Sequence, residues 1–258
     1  MKLIRVVALF VIFLGAAVTP ASAQFYPPIV LDPSLTKFFA PDSAFSASVE
    51  FIRKNPAGKA DRWPIRVVVS KGMSRVEMDI TQAKSDHPAQ SGQVWKEYVE
   101  SMKAAGSAEA VSIYNPTKKS MFIILPRLKS YVQTALPAEA VDQIKKRPKS
   151  EKVEVAREDV DGHSCTKYKL SFDKTGMDVW KTWESPAAFV WTAEEFRGFP
   201  VRIEVLGSVG ETNVMLVIKD IDFKAPDAQL FQAPKGFTKC EDEQALMKRI
   251  MEKWPKSK

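Results

Sequence analysis

Few residues in this sequence are of the types that carry out chemistry at a recognisable spacing. The only histidines are His87 and His163, and neither has a metal-ligating partner at a usable distance along the chain. His163, in DGHSC, could join the cysteine sulfurs as a metal ligand, but we expect it to flank a surface turn. The sequence has no nucleophile elbow, zinc-protease motif, P-loop or dinucleotide-binding glycine motif. We therefore predict that the protein is not an enzyme and carries no metal and no cofactor.

One class of enzyme has no sequence motif by which it can be recognised. A hydrolase that uses two carboxylates can take them from different strands, so no fixed spacing identifies the pair. The chain has 31 acidic residues, and solvated side chains account for them without a catalytic role. A secreted hydrolase is therefore the least favoured hypothesis, and it requires a clustered acid pair in a cleft.

The amino-terminal segment predicts export. Lys2 and Arg5 precede an apolar run over residues 6–18, and the Ala-Ser-Ala triplet at 21–23 has the small residues that signal peptidase accepts. We predict a signal peptide over residues 1–23, with an uncleaved membrane anchor as the alternative. Removing it lowers the formal charge of +7 by two, and the mild basic excess that remains suits anionic lipid headgroups. Export argues against nucleic acid as a partner.

The two cysteines, Cys165 and Cys240, both follow the export signal. In an oxidising compartment an isolated pair most simply forms one disulfide, and we predict that bond here. Two free thiols that do chemistry are the alternative, but they would need a CxxC-like neighbourhood, which neither cysteine has.

Alternating apolar and polar residues predict strands over much of the remaining chain. The segment AFSASVEFIR, residues 44–53, places its apolar residues on one face, and Lys71-Gly72 forms a two-residue turn between two later strands. Helical spacing runs from Val94 to Gly106, over residues 136–147 and through the tail KCEDEQALMKRIMEKW. We expect eight to ten strands and three helices. Strands and helices do not alternate, so the sheet should be mainly antiparallel.

These elements predict a simple domain organisation. A signal peptide over 1–23 is followed by an irregular, proline-rich arm over 24–43. One domain then spans residues 44–240, and a C-terminal helix occupies 241–258.

The strand MFIILP is apolar on both faces. Met121, Ile123 and Leu125 lie on one side, and Phe122 and Ile124 on the other. The segments IRVVVS and NVMLVIKDI show the same doubling. Because few helices are available to cover a second face, we expect that face to line an apolar cleft or to form a second packed core.

Three tryptophans lie close together in the segment DVWKTWESPAAFVWTAEEF, residues 178–196. Trp191 falls within a predicted strand, where either a core position or a place in a binding surface is open. Trp180 and Trp183 are harder to bury, because charged residues and a proline interrupt the segment. We predict that these two form a surface lip at the mouth of a cavity or at an interface.

The order of several motifs resembles the LolA/LolB-type fold of periplasmic lipoprotein carriers. The motifs are FSASVEF, KGMSRVEMD, VSIYNPTKKSMFIILPRLKSY, VDGHSCTKYKL, FVWTAEEFRGFPVRIEV and LFQAPKGF. The resemblance covers about residues 44–238. It implies an α+β, mainly β protein, whose curved antiparallel sheet forms an unclosed half-barrel with inserted helices on its concave side and a C-terminal helix. Together with the predicted signal peptide, it places the expected location in the periplasm, either free or peripheral to a membrane.

The resemblance implies an apolar binding surface on the concave side. The lining residues that we predict are Phe51, Val67, Met78, Phe122, Ile124 and Trp191, with Arg75 at the polar rim. Insertions at 82–106 and 134–150 and the cysteine pair depart from the carrier pattern, so the fold can be shared without the trafficking.

Two functional hypotheses follow. In the first, the protein binds an acyl chain, a lipid or a lipoprotein in the half-barrel. In the second, it is an envelope sensor or assembly protein that docks a membrane or envelope protein through its surface, including Trp180 and Trp183.

Overall fold

The computed structural model describes residues 44–54, 59–86, 92–136, 150–172, 187–206 and 212–255. The predicted signal peptide and the arm over 24–43 lie outside the described residues, as does nearly all of the helix predicted over 136–147. Trp180 and Trp183, the predicted surface lip, also lie outside them.

Within the described residues, thirteen strands form one sheet. The strands are β1 (Phe45–Lys54), β2 (Ala60–Ser70), β3 (Met73–Asp79), β4 (Lys84–Ser85), β5 (Glu109–Asn115), β6 (Ser120–Leu125), β7 (Ser130–Ala135), β8 (Ser150–Val160), β9 (His163–Phe172), β10 (Ala187–Ala193), β11 (Phe199–Leu206), β12 (Thr212–Asp222) and β13 (Thr238–Cys240). Two α-helices accompany them, α1 (Gln93–Ala105) and α2 (Glu243–Lys253). Short 3₁₀ helices lie at Ile80–Gln82, Glu194–Phe196 and Ala228–Phe231.

The sheet runs in the order β13-β7-β6-β5-β3-β2-β1-β12-β11-β10-β9-β8, and β4 pairs with β2 beside this path. Every pairing is antiparallel except that of β13 with β7. The path has two separate ends, so the sheet does not close into a barrel. The predicted fold class, a mainly β half-barrel with helices on its concave side, is confirmed. The predicted number of strands, eight to ten, was too low, in part because β4 and β13 are too short to show a period.

Two-residue turns set the register of the hairpins. Lys71 and Gly72 have φ angles of 49° and 75°, and Asp161 and Gly162 have φ angles of 52° and 86°. Positive φ at both central positions is the feature of a type I′ turn, whose twist matches that of the flanking strands. The Lys71-Gly72 turn predicted from the sequence is confirmed.

The strand β6 is buried on both faces along its whole length. Met121, Ile123 and Leu125 pack in a cluster with α1 and α2. On the other face, Phe122 and Ile124 pack under residues 230–237, a segment that we call the strap. The doubled apolar pattern therefore arises because helices cover one face of β6 and an irregular segment covers the other.

The helices pack on the concave side through their amphipathic faces. Helix α1 ends at Gly106, whose φ of 74° is left-handed, as the sequence predicts. A Cβ at Gly106 would lie 3.2 Å from the backbone nitrogen of Leu128, so both conformation and space favour glycine there. Asp242 caps the N-terminus of helix α2, and its carboxylate accepts a hydrogen bond from the Ala245 amide at 2.7 Å.

The predicted disulfide is wrong in this structure. Cys165 and Cys240 are both free and buried. They lie on β9 and β13, near opposite ends of the sheet, and belong to separate apolar clusters. Burial raises the pKa of both thiols. Each cysteine acts as a small apolar core residue, a role that composition cannot distinguish from a disulfide partner.

Candidate functional site

The concave side of the half-barrel carries a continuous layer of buried apolar side chains, which we call the concave cluster. Its buried members are Phe45, Ala47, Val49, Ile65, Val67, Leu170, Ala188, Val190, Phe199, Ile203, Val205, Val214, Leu216 and Ile218. All fourteen are at most 5% exposed. They come from six strands that are contiguous in the sheet, so the cluster is a property of the curved sheet rather than of one hairpin.

The strand register arranges the concave cluster in rows across the sheet. One row reads Glu154, Tyr168, Val190, Ile203, Leu216, Phe51 and Trp63. The next row reads Lys152, Leu170, Ala188, Val205, Val214, Arg53 and Asp61. Directly paired residues point to the same face of a sheet. In the second row, four buried aliphatic residues are therefore flanked by Lys152 on one side and by Arg53 on the other.

The two flanking cations lie against aromatic rings. The Lys152 ammonium is 3.9 Å from the centroid of the Tyr168 ring, and burial lowers the pKa of this lysine. The Arg53 guanidinium is 5.7 Å from the Trp63 ring, and its Nη2 is 3.5 Å from an oxygen of Asp61. Each end of this row therefore carries a cation held against an aromatic ring, and at the Arg53 end the charge is balanced by Asp61.

Three of the six predicted lining residues belong to this side. Val67 is fully buried in the concave cluster, whereas Phe51 and Met78 are half-buried and pack at its edge. The ring of Phe51 lies 5.5 Å from that of Trp63, in the row next to Arg53. Their placement agrees with the predicted apolar lining, while their role in binding stays a prediction.

The placement of Phe122 and Ile124 in the same lining is corrected. Phe122 pairs with Ile113, which pairs with Arg75, which pairs with Val68. Val68 and Val67 are neighbours on one strand and point to opposite faces. Phe122 therefore lies on the convex face, as does Ile124, both under the strap. Hydrophobicity alone could not assign the face, because β6 is apolar on both sides.

Arg75, the predicted polar rim, also lies on the convex face. Its Nη1 donates a hydrogen bond to the backbone carbonyl of Leu230 at 3.0 Å, and its Nε contacts Glu77 at 2.6 Å. Arg75 therefore holds the strap to the sheet, and the prediction that it lines the concave rim is corrected.

Trp191 is buried on the convex face as well. Its Nε1 donates a hydrogen bond to Glu158 at 2.5 Å, and this bond contributes most to lowering the pKa of that carboxyl group. The cations of Lys167 and Arg202 lie 4.5 and 5.1 Å from the ring. Trp191 is thus a core residue enclosed by charged neighbours, and its placement in the concave lining is corrected.

A groove of about 700 Å³ lies largely on the convex face. The charged residues that line it are Glu50, Arg66, Arg75, Glu77, Asp79, Glu109 and Lys219. Both signs are interspersed, and Arg66 and Arg75 each pair with Glu77. Sequence analysis missed this groove because its residues come from five strands whose register was unknown.

His163 lies at a smaller cavity of about 540 Å³. Its Nδ1 contacts an oxygen of Glu195, and its ring packs edge-on against Phe196 at 5.0 Å. In the part of the chain that the structure describes, no group of three or more potential ligands could hold a metal ion. The same residues contain no helix long and apolar enough to cross a membrane.

Comparison with known families gives one match. The family described as "Domain of unknown function (DUF4412)" matches residues 93–190, from α1 to the middle of β10. No curated protein matches the sequence at a significant level.

Several solved structures follow a similar path of the chain. An uncharacterised conserved protein from Thermus thermophilus has 11% identity and a TM-score of 0.46, over 80% of this chain and 94% of that one. The lipoprotein LppX from Mycobacterium tuberculosis has 12% identity and a TM-score of 0.42, over 76% and 93%. A LolA superfamily protein from Nitrosomonas europaea has 10% identity and a TM-score of 0.32, over 78% and 94%.

These matches include the superfamily that the sequence motifs resemble. At such identities and TM-scores the likeness carries no information about a ligand.

Proposed function

We propose that this chain is an exported, periplasmic, non-enzymatic protein that binds a lipid through its acyl chain on the concave face. The observation that carries the proposal is the concave cluster, in which fourteen apolar residues form one surface across six strands. The occupant is an amphiphile with an anionic headgroup, either a free lipid or the acylated end of a lipoprotein.

The chemistry of the margin supports an anionic headgroup. Lys152 and Arg53 flank the row of aliphatic residues, and Asp61 balances Arg53, so an acyl chain on the row with its headgroup at the Lys152 end would bring that headgroup close to a cation. Burial of a methylene group contributes about 0.8 kcal/mol, so an acyl chain of ordinary length gains ample free energy from such a surface. Because the concave cluster is closed to solvent in this structure, an acyl chain has to displace the side chains that pack on it.

A fluorescent fatty acid tests the proposal. We expect saturable binding to the delipidated protein, and displacement of the probe by unlabelled fatty acid or phosphatidylglycerol. Phe51→Ala should weaken binding about tenfold, because removing a ring that contacts the ligand costs on the order of 1.4 kcal/mol.

Phe189→Ala is the matched control. Phe189 is also half-buried, but its register partners Lys169 and Glu204 place it on the convex face. This variant should bind the probe as the unmodified protein does. Absence of probe binding, or equal losses in both variants, would contradict a concave site.

The alternative hypothesis of a docked protein partner rests on Trp180 and Trp183. Both lie outside the described residues, so it stays a prediction.

A further inference from the structure

Helix α2 is apolar on two sides. Leu246 and Ile250 are buried against the sheet, which accounts for the packing of the helix. Met247 and Met251, one turn apart on a different side, are 38% and 50% exposed. Packing of α2 on the sheet requires only Leu246 and Ile250. It therefore does not explain why two apolar side chains, Met247 and Met251, are exposed on a different side of the helix.

Aromatic residues lie at the C-terminal end of α2 and on the neighbouring helix α1. Trp254, which caps α2 in an extended conformation, is half-buried and packs against the cluster that contains Leu246 and Ile250. Its ring lies 5.9 Å from that of Tyr98 on α1, which in turn lies 5.8 Å from Trp95. Burial raises the pKa of Tyr98 to about 12. Aromatic side chains with a polar end favour the boundary between water and lipid.

The charge around the helix is positive. The acidic residues Glu241, Asp242 and Glu243 lie at its N-terminal end, whereas residues 248–258 contain five basic side chains and one acidic side chain. Lys248 and Lys253 are exposed on α2 beside the methionines, and Lys256 and Lys258 follow Trp254 in the sequence. Amphipathic helices that lie on membranes combine apolar side chains with basic residues in this way.

We propose that Met247 and Met251, with Lys248 and Lys253, form a surface that docks on an anionic lipid bilayer. The thioethers enter the interfacial region, and the ammonium groups contact lipid phosphates. Positive charge beside the apolar stripe favours this occupant over a second copy of the chain, because two such surfaces would repel each other. This surface is separate from the concave cluster, and the inference stands independently of the proposed lipid cargo.

Vesicle sedimentation tests the proposal with the exported form of the full chain. We expect binding to vesicles of phosphatidylcholine with about 30% phosphatidylglycerol, and at least tenfold weaker binding to vesicles of phosphatidylcholine alone. The double variant M247S/M251S should lose at least tenfold in affinity for the anionic vesicles. The variant K248E/K253E should lose as much, because each basic residue near an anionic surface contributes about fivefold.

The matched control is V153S/V155S. Val153 and Val155 are the other large apolar residues that are exposed in the described part of the chain, at 48% and 51%, and they lie on the edge strand β8. This variant should bind vesicles normally, and thermal denaturation should show that all variants remain folded. Four outcomes would overturn the proposal: no vesicle binding, no effect of M247S/M251S, an equal loss in the control, or equal binding to neutral and anionic vesicles.

Discussion

Replacing Arg75 should loosen the strap from the convex face. The Arg75 side chain is 18% exposed, and it donates to the Leu230 carbonyl at 3.0 Å while it contacts Glu77 at 2.6 Å. A hydrogen bond from a charged donor contributes about 1.5–3 kcal/mol, and the partial exposure of the ion pair favours the lower half of that range. We therefore expect Arg75→Met, which keeps much of the aliphatic stem, to lower the free energy of unfolding by about 2 kcal/mol.

Arg66 provides an internal comparison for this prediction. It lies on the same face and pairs with the same Glu77, but at 3.8 Å and with a side chain 57% exposed. Arg66→Met should cost less than about 0.5 kcal/mol. Thermal denaturation should show a fall in Tm of about 4–8 °C for Arg75→Met and almost none for Arg66→Met.

Hydrogen exchange identifies the region that is released. Amides of the strap should exchange faster in Arg75→Met than in the unmodified protein, while those of β10 and β11 should not. Equal Tm values for the two variants, or unchanged exchange in the strap, would refute the role given to Arg75.

Three further predictions concern the core and the titratable groups. Leu216 lies at a concave position and is 1% exposed, so Leu216→Ala should lower the free energy of unfolding by about 2–5 kcal/mol. Urea denaturation should show a smaller loss for Met215→Ala, because Met215 is half-buried on the opposite face. Thiol labelling of denatured, unreduced protein should find both Cys165 and Cys240 free. The native protein should react slowly with the label, because burial raises the pKa of both thiols. If neither cysteine of the denatured protein reacts, the disulfide predicted from the sequence is present after all. The pKa of Tyr98 is raised to about 12, so between about pH 10 and pH 12 the folded state keeps a proton that the unfolded state has lost. The free energy of unfolding should therefore fall as the pH rises from about 10 to 12. Tyr98→Phe should lessen that fall.

Local patterns in the sequence predicted most of the elements of the fold. Alternation in AFSASVEFIR predicted β1, and Gly106 predicted the end of α1, because both depend on residues close together in the chain. The doubled apolar pattern of MFIILP left open whether the second face lines a cleft or forms a second packed core, and the structure shows a packed core on both faces. Which element covers each face depends on contacts between distant segments, such as that of Phe122 with Phe231, and no local pattern encodes them.

The site was predicted less well than the fold. Phe51, Val67 and Met78 share one face of the sheet, whereas Phe122 and Trp191 lie on the other face. A shift of one residue in register moves every side chain of a strand to the opposite face, so the error comes from unknown pairing rather than from wrong strand assignment. The flanking pair Lys152 and Arg53 was missed for the same reason, since five strand pairings connect them.

Photocrosslinking of a bound fatty acid tests the central claim most directly. A fatty acid with a diazirine near the end of its chain would be bound, activated and located by mass spectrometry of the digested protein. Our account predicts labels on peptides that carry concave residues such as Val190, Leu216 and Phe51. Labels confined to the convex groove around Arg66 and Lys219, or no label that unlabelled fatty acid can compete away, would contradict it.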